Sequence, residues 1–223
     1  MGMSKTNNRV GKNKNILKKM KGIVLSETEG TEIKKEIVPS GTHIARCYSM
    51  IHIGTVEWEW QGEVKYSNKV RLTFELPHEM RDYGGEMKPM VISKEYTLSL
   101  HEKSNLRKDL ESWRGKSFTG EELRKFDITD LITGECNVSV IHKTAKNGNE
   151  FAQISSISQM TKGSVCPDQY NESFIFNYHD NFNQKWLEEQ PQWIQDQIKS
   201  TDEYKSKINQ LEHQDTPKHD MPF

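Results

Sequence analysis

The chain has 223 residues, 28% charged and 33% hydrophobic, which supports one domain of ordinary size but leaves part of its length too polar to pack. Its three cysteines, Cys47, Cys136 and Cys166, are odd in number and widely spaced, which suits a reducing compartment better than a disulfide framework. No apolar run approaches the ~20 residues that span a bilayer, and no secretory leader is read at the start, so cytosol is the expected location and a membrane partner is not expected. The net charge of −1 hides an asymmetry: residues 1–38 hold nine Lys/Arg against four Glu, residues 163–223 hold five against eleven Asp/Glu, and the middle is balanced.

Residues 1–38 begin with Lys5, Arg9, Lys12, Lys14, Lys18, Lys19 and Lys21 among Asn and Gly, with no acid before Glu27. This composition predicts a disordered basic arm, read either as a solvated tail or as a sequence-blind phosphate contact. A turn at Pro39-Ser40-Gly41 opens residues 39–162, the expected folded domain. Alternation predicts strands over 43–53 and 64–76, with Val64, Tyr66, Val70, Leu72, Phe74 and Leu76 on one face of the second and Lys65, Lys69, Arg71 and Thr73 on the other. A third strand is expected over 91–100, beyond a loop marked by Pro77, Gly84, Gly85 and Pro89.

Ser104 reads as the N-cap of a short helix through Trp113, with Leu106, Leu110 and Trp113 at helical spacing and Gly115 just past its end. Residues 136–143, the turn Asn147-Gly148-Asn149 and residues 150–160 predict a hairpin. The order β-β-β-α-β-β is that of a five-stranded OB-type barrel, a mainly β fold. From Gly163 the composition turns acidic, with aromatics at Phe174, Phe176, Tyr178, Phe182 and Trp186. A helix is expected near 191–211, started by Pro191, whose stripe Trp193, Ile194, Gln197, Ile198, Tyr204 and Ile208 docks on the barrel or on a second copy of the chain.

Catalytic and metal-binding patterns are missing from the spacing: no Cys-x-x-Cys, no His-Glu-x-x-His and no Gly-rich phosphate loop. His101 and His142 read as ordinary strand-end histidines. Glu75, Glu79 and Asp82 near Lys88 and Lys94 loosely match a metal-dependent nuclease, the one enzymatic alternative. The expectation is a non-enzymatic protein with no cofactor and no metal.

Four passages carry a resemblance: Pro39-Ser40-Gly41-Thr42-His43-Ile44-Ala45-Arg46 leading to Gly54-Thr55; Val70-Arg71-Leu72-Thr73-Phe74-Glu75-Leu76-Pro77; residues 96–107 running to Trp113-Arg114-Gly115; and Cys136-Asn137-Val138 with His142. In these the chain resembles phage-encoded OB-fold single-stranded DNA-binding proteins. The resemblance implies sequence-nonspecific DNA binding in phage replication and recombination, in the host cytoplasm. Pro191-Gln192-Trp193-Ile194 with Ser200, Glu203 and Tyr204 also looks like the tail helix of such proteins. Separately, the ending Asp220-Met221-Pro222-Phe223 is similar to the tip of bacterial single-stranded DNA-binding proteins, which implies recruitment of replication or recombination proteins. Lys218 intrudes on that pattern. An OB-fold protein-binding adaptor remains the alternative to DNA binding.

Binding single strands without reading sequence needs cations along the backbone and exposed rings for bases to stack on. Lys65, Lys69 and Arg71 share the outward face of the second strand, Arg46 lies on the first, and Lys94 and Tyr96 share a face of the third. Trp58 and Trp60 occupy the expected loop between the first two strands, and Lys143, Lys146 and Phe151 flank the last hairpin. Glu57 and Glu59 count against the tryptophans, since acids beside stacking rings repel phosphate.

Overall fold

Alternating apolar residues in the middle of the chain build one sheet in the computed structural model, which describes residues 36–214. The basic arm up to residue 35 and the terminal residues 220–223 lie outside the described residues. Strands β1 (Gly41–Trp60) and β2 (Glu63–Asp82) are each 20 residues long and pair antiparallel. Their turn is only two residues, Gln61 and Gly62, with φ of 54° and 80°. Positive φ at both positions is the type I′ geometry that matches strand twist, so the segment expected as a loop continues as strand.

Pro77 does not end β2 either. A register shift between Leu76 and Met80 accommodates the residue that has no N–H, and the strand resumes against β3 (Met87–Thr97), with Pro89 facing Met80. Helix α1 (Asn105–Arg114) follows the expected chemistry: Ser104 accepts from the Leu106 N–H, Gly115 takes φ 67°, and Leu106, Leu110 and Trp113 are buried. A short helix α2 (Glu122–Lys125) and a 3-10 turn (Ile128–Leu131), neither expected, lead to β4 (Glu135–Thr144) and β5 (Glu150–Ser158), which pair as a hairpin.

The hydrogen-bonded path is β3-β2-β1-β4-β5, an open sheet among the described residues. A sixth strand was not anticipated. β6 (Phe174–Phe176) pairs parallel to β1 at Ser49 to Ile51, just beyond the stretch of β1 taken by β4, and so covers an edge that would otherwise present unpaired backbone. The predicted C-terminal helix is divided into α4 (Gln192–Lys199) and α5 (Asp202–Gln214), preceded by α3 (Gln184–Glu188).

The sheet carries a core on each face, one extensive and one centred on β1. One core joins Val70, Leu72, Phe74 and Leu76 of β2 to α1 and to residues of β3, β4 and β5. Burying each such side chain stabilises the fold by about 1.5–3 kcal/mol relative to leaving it in water. Val38 also belongs to this core, so the folded unit starts at Glu36, slightly before the expected boundary at Pro39. On the opposite face Ile51 and Ile53 pack with Phe176, Tyr178, Leu187, Ile194 and Ile198. The acidic segment is therefore a folded layer on the sheet up to α5. Extra residues in β1 at Tyr48 and Ile53 let one strand serve both cores.

Two carboxylates fasten this layer. Glu75, wholly buried, accepts from the N–H of Tyr170 (3.0 Å) and from the N–H and side-chain amide of Asn171 (2.9 and 2.7 Å). Glu203 on α5 accepts from the N–H and hydroxyl of Thr55 (3.0 and 2.6 Å). Gly54 permits that approach: at φ 101° a Cβ there would stand 3.0 Å from Glu203 Oε2 and Thr201 Oγ1.

Candidate nucleic-acid interface

Past Gly54 and Lys69 the β1–β2 ribbon leaves its core behind. Val64 and Tyr66 continue the parity of Val70 and Leu72, yet both are exposed, so the end of the hairpin is open on both faces. Register decides which side chains meet there. Trp58 pairs with Lys65 and Trp60 with Glu63, which puts these four on one face with Ser67 and Lys69. Glu57 pairs with Tyr66 and Glu59 with Val64 on the other face, where the Tyr66 hydroxyl donates to Glu57 at 3.3 Å. The acids that adjoin the tryptophans in sequence are thus turned away from them by strand alternation.

The two indoles are 42% and 55% exposed, with ring centroids 6.3 Å apart. Trp58 Nε1 donates to Ser67 Oγ at 2.8 Å, orienting its ring, and Lys65 pairs loosely with Glu63 at 3.4 Å. Further along the same face of β2, Lys69 lies 3.8 Å from Glu95 of β3, which also accepts from Gln197 of α4 at 3.3 Å. Arg71 comes next. Burial lowers its guanidinium from the ordinary value, with Glu95 opposing, and it sits 4.8 Å from the ring centroid of Trp193.

Trp193 was expected to pack within the helix stripe. Instead Ile194 and Ile198 make the buried contact, and Trp193, one position off their line, is 51% exposed. Periodicity identifies the buried line of a helix but does not say which strand lies under its margin, so the pairing with Arg71 had no signal in the chain.

Three other expected contacts are used internally. Arg46 donates to the carbonyls of Thr133 and Pro167 and pairs with Glu135 at 2.9 Å, holding strand to tail. Lys94 and Tyr96 pair across the ladder with Leu72 and Val70, which places them on the core face, opposite to Lys69 and Arg71. Both reach Asp109 of α1, each at 2.7 Å, and Tyr96 is buried. Burial, with the Asp109 carboxylate, raises the Tyr96 hydroxyl well above its usual value. All three are thus engaged within the fold.

On the β4–β5 hairpin Lys143 stands directly opposite Phe151, both exposed, and Lys146 lies in the exposed turn. Neither lysine makes an ion pair among the described residues. Gly41 pairs with Val140, so this hairpin leaves the sheet at the start of β1, whereas the tryptophans stand at its far end, a contour of up to ~65 Å at ~3.3 Å per residue. The expected residues therefore form two patches.

The acids of the nuclease pattern do not converge. Glu75 is held by Tyr170 and Asn171, Glu79 pairs with His43 at 2.9 Å, and Asp82 accepts from the Gly85 N–H. Among the described residues no group of three or more His, Cys, Asp or Glu is arranged to hold a metal ion, and no helix is long and apolar enough to cross a membrane. No family model matches the chain, and no curated protein matches it.

Proposed function

We propose that this chain binds single-stranded DNA without sequence preference, on an OB-type barrel, in phage replication or recombination, and takes no part in catalysis. The observation that carries the reading is the pair of exposed indoles, Trp58 and Trp60, on the one face of the β1–β2 hairpin that also bears Lys65 and Lys69. Aromatic rings beside cations are what backbone-tracking, sequence-tolerant binding requires, and stacking contributes about 1–3 kcal/mol per base. Lys143, Lys146 and Phe151 supply a second patch of the same composition. The barrel reading is supported by the shared core, to which β3 contributes Met90, Ile92 and Tyr96 and β5 contributes Ile154 and Ile157, so that the two outer strands of the open sheet pack into one cluster with residues of α1.

Residues 220–223 recruit replication or recombination proteins in this reading, with Phe223 as the apolar anchor, and do not hold DNA. Titration with a labelled mixed-sequence oligonucleotide across a range of salt tests the DNA reading. Affinity falls with salt at about −0.7 in log-log slope per phosphate contact, and duplex of the same length binds less well. Equal affinity for duplex, or no salt dependence, sinks it. A protein-docking adaptor is the second reading, favoured by the opposite hairpin face, where Val64 and Tyr66 stand exposed beside Glu57 and Glu59. That reading survives if the oligonucleotide does not bind.

A further inference from the structure

We infer that Trp193, carried by the C-terminal layer, is a stacking platform of the same DNA-binding face, so that the acidic segment builds part of the site. This rests on the single-strand reading above. Three observations lead to it. First, Arg71 and Lys65 lie on one face of an uninterrupted stretch of β2, with Ser67 and Lys69 between them. Second, the Trp193 ring is held over Arg71 at 4.8 Å, at one end of this row, while Trp58 stands opposite Lys65 at the other. The row is about 20 Å long at ~3.3 Å per residue, a span of several extended nucleotides. Third, α4 has no need of Trp193 for docking, since Ile194 and Ile198 fill the apolar contact and Gln197 fixes the helix to Glu95.

An indole presents two π-faces. The guanidinium accounts for one, and half of the residue remains open to solvent. A base stacked on the open part would extend an Arg-indole-base column, with the cation also near the phosphates, and Lys69 would meet the backbone midway between the two aromatic ends. The column joins two segments far apart in sequence. A core of residues 39–162 without the C-terminal layer would therefore keep the Trp58 end and lose the Trp193 end.

The test is anisotropy titration of the full chain with a fluorescein-labelled oligothymidine, comparing Trp193→Ala, Trp193→Leu, Trp193→Phe and the double variant Trp58→Ala/Trp60→Ala. Trp193→Ala and Trp193→Leu are expected to weaken binding about fivefold or more, and Trp193→Phe to retain most of the affinity. Leucine keeps apolar bulk against Arg71 but offers no ring, so loss in Leu with retention in Phe separates stacking from packing even where Ala lowers the melting temperature. Wild-type affinity in Trp193→Leu, with loss in the hairpin double variant, overturns the role of Trp193 and leaves the DNA reading standing. Absence of binding by the unmodified protein overturns both.

Discussion

Trp58 stands directly across the β1–β2 ladder from Lys65, and that pairing places an indole and an ammonium on the face opposite Glu57 and Glu59. A shift of one residue in register would set Lys65 opposite Glu57 or Glu59 and separate it from the indoles. The type I′ turn at Gln61-Gly62 holds the register, because a two-residue connection leaves no slack.

Replacing Trp58 and Trp60 together with alanine is expected to weaken oligonucleotide binding by about tenfold or more while altering stability by no more than about 0.5 kcal/mol. Neither ring belongs to either core. Paired titration and thermal melting check this. A large fall in melting temperature would place the rings in the fold and not in the interface.

Glu63 and Glu95 compete with phosphate for Lys65 and Lys69. Glu63→Gln and Glu95→Gln are each expected to raise affinity roughly 1.4- to 5-fold, the equivalent of the ~0.2–1 kcal/mol of a surface pair, most clearly at low ionic strength. Titrations of both variants at two salt concentrations read this out. Unchanged affinity in both would remove Lys65 and Lys69 from the contact.

Glu75→Gln is expected to destabilise the protein by about 1.5–3 kcal/mol, measured as a lower urea midpoint. The amide that replaces one oxygen would point N–H donors at the donors of Tyr170 and Asn171. Glu75 lies away from both patches, so DNA affinity should change little in conditions where the variant is folded.

Burial acts to raise the Glu203 carboxyl, but its bonds from Thr55 outweigh that and leave it below the ordinary carboxylate value. A depressed folded-state pKa means that the stabilisation is complete above the unfolded value near ~4.3 and is lost as pH falls through the folded value. Melting temperature followed downward from pH 5 should decline more steeply in the natural protein than in Glu203→Gln. Gly54→Ala should destabilise at every pH, since the residue takes a positive φ and crowds Glu203.

Burial pushes the Cys47 thiol up to about 12 and raises those of Cys136 and Cys166 as well. At pH 8 the folded protein should not react with a thiol reagent, and all three groups should titrate once urea unfolds it. Rapid labelling of Cys47 in the native state would contradict the packing of β1.

Local rules were enough for much of the fold. The parity of Val70, Leu72, Phe74 and Leu76, the Ser104 cap, the Gly115 stop and the Asn147-Gly148-Asn149 turn each depend on neighbours within a few residues, and the elements formed as expected. The exposed lysines and aromatics of the two hairpins were legible too, as residues of those types at open positions. Which of the expected side chains were free could not be read, because Arg46, Lys94 and Tyr96 are occupied by Glu135 and Asp109, partners 89, 15 and 13 residues distant in sequence. The second core was hidden for the same reason: β6 is three residues long, and its pairing with β1 follows from an edge that β4 leaves open. Sequence alone therefore determined the strands, the helix caps and the kinds of side chain available for binding. Tertiary structure decided which of them share a face, because a period of two assigns sides within a strand while only the register between strands, and the layer folded over them, brings Arg71 to Trp193.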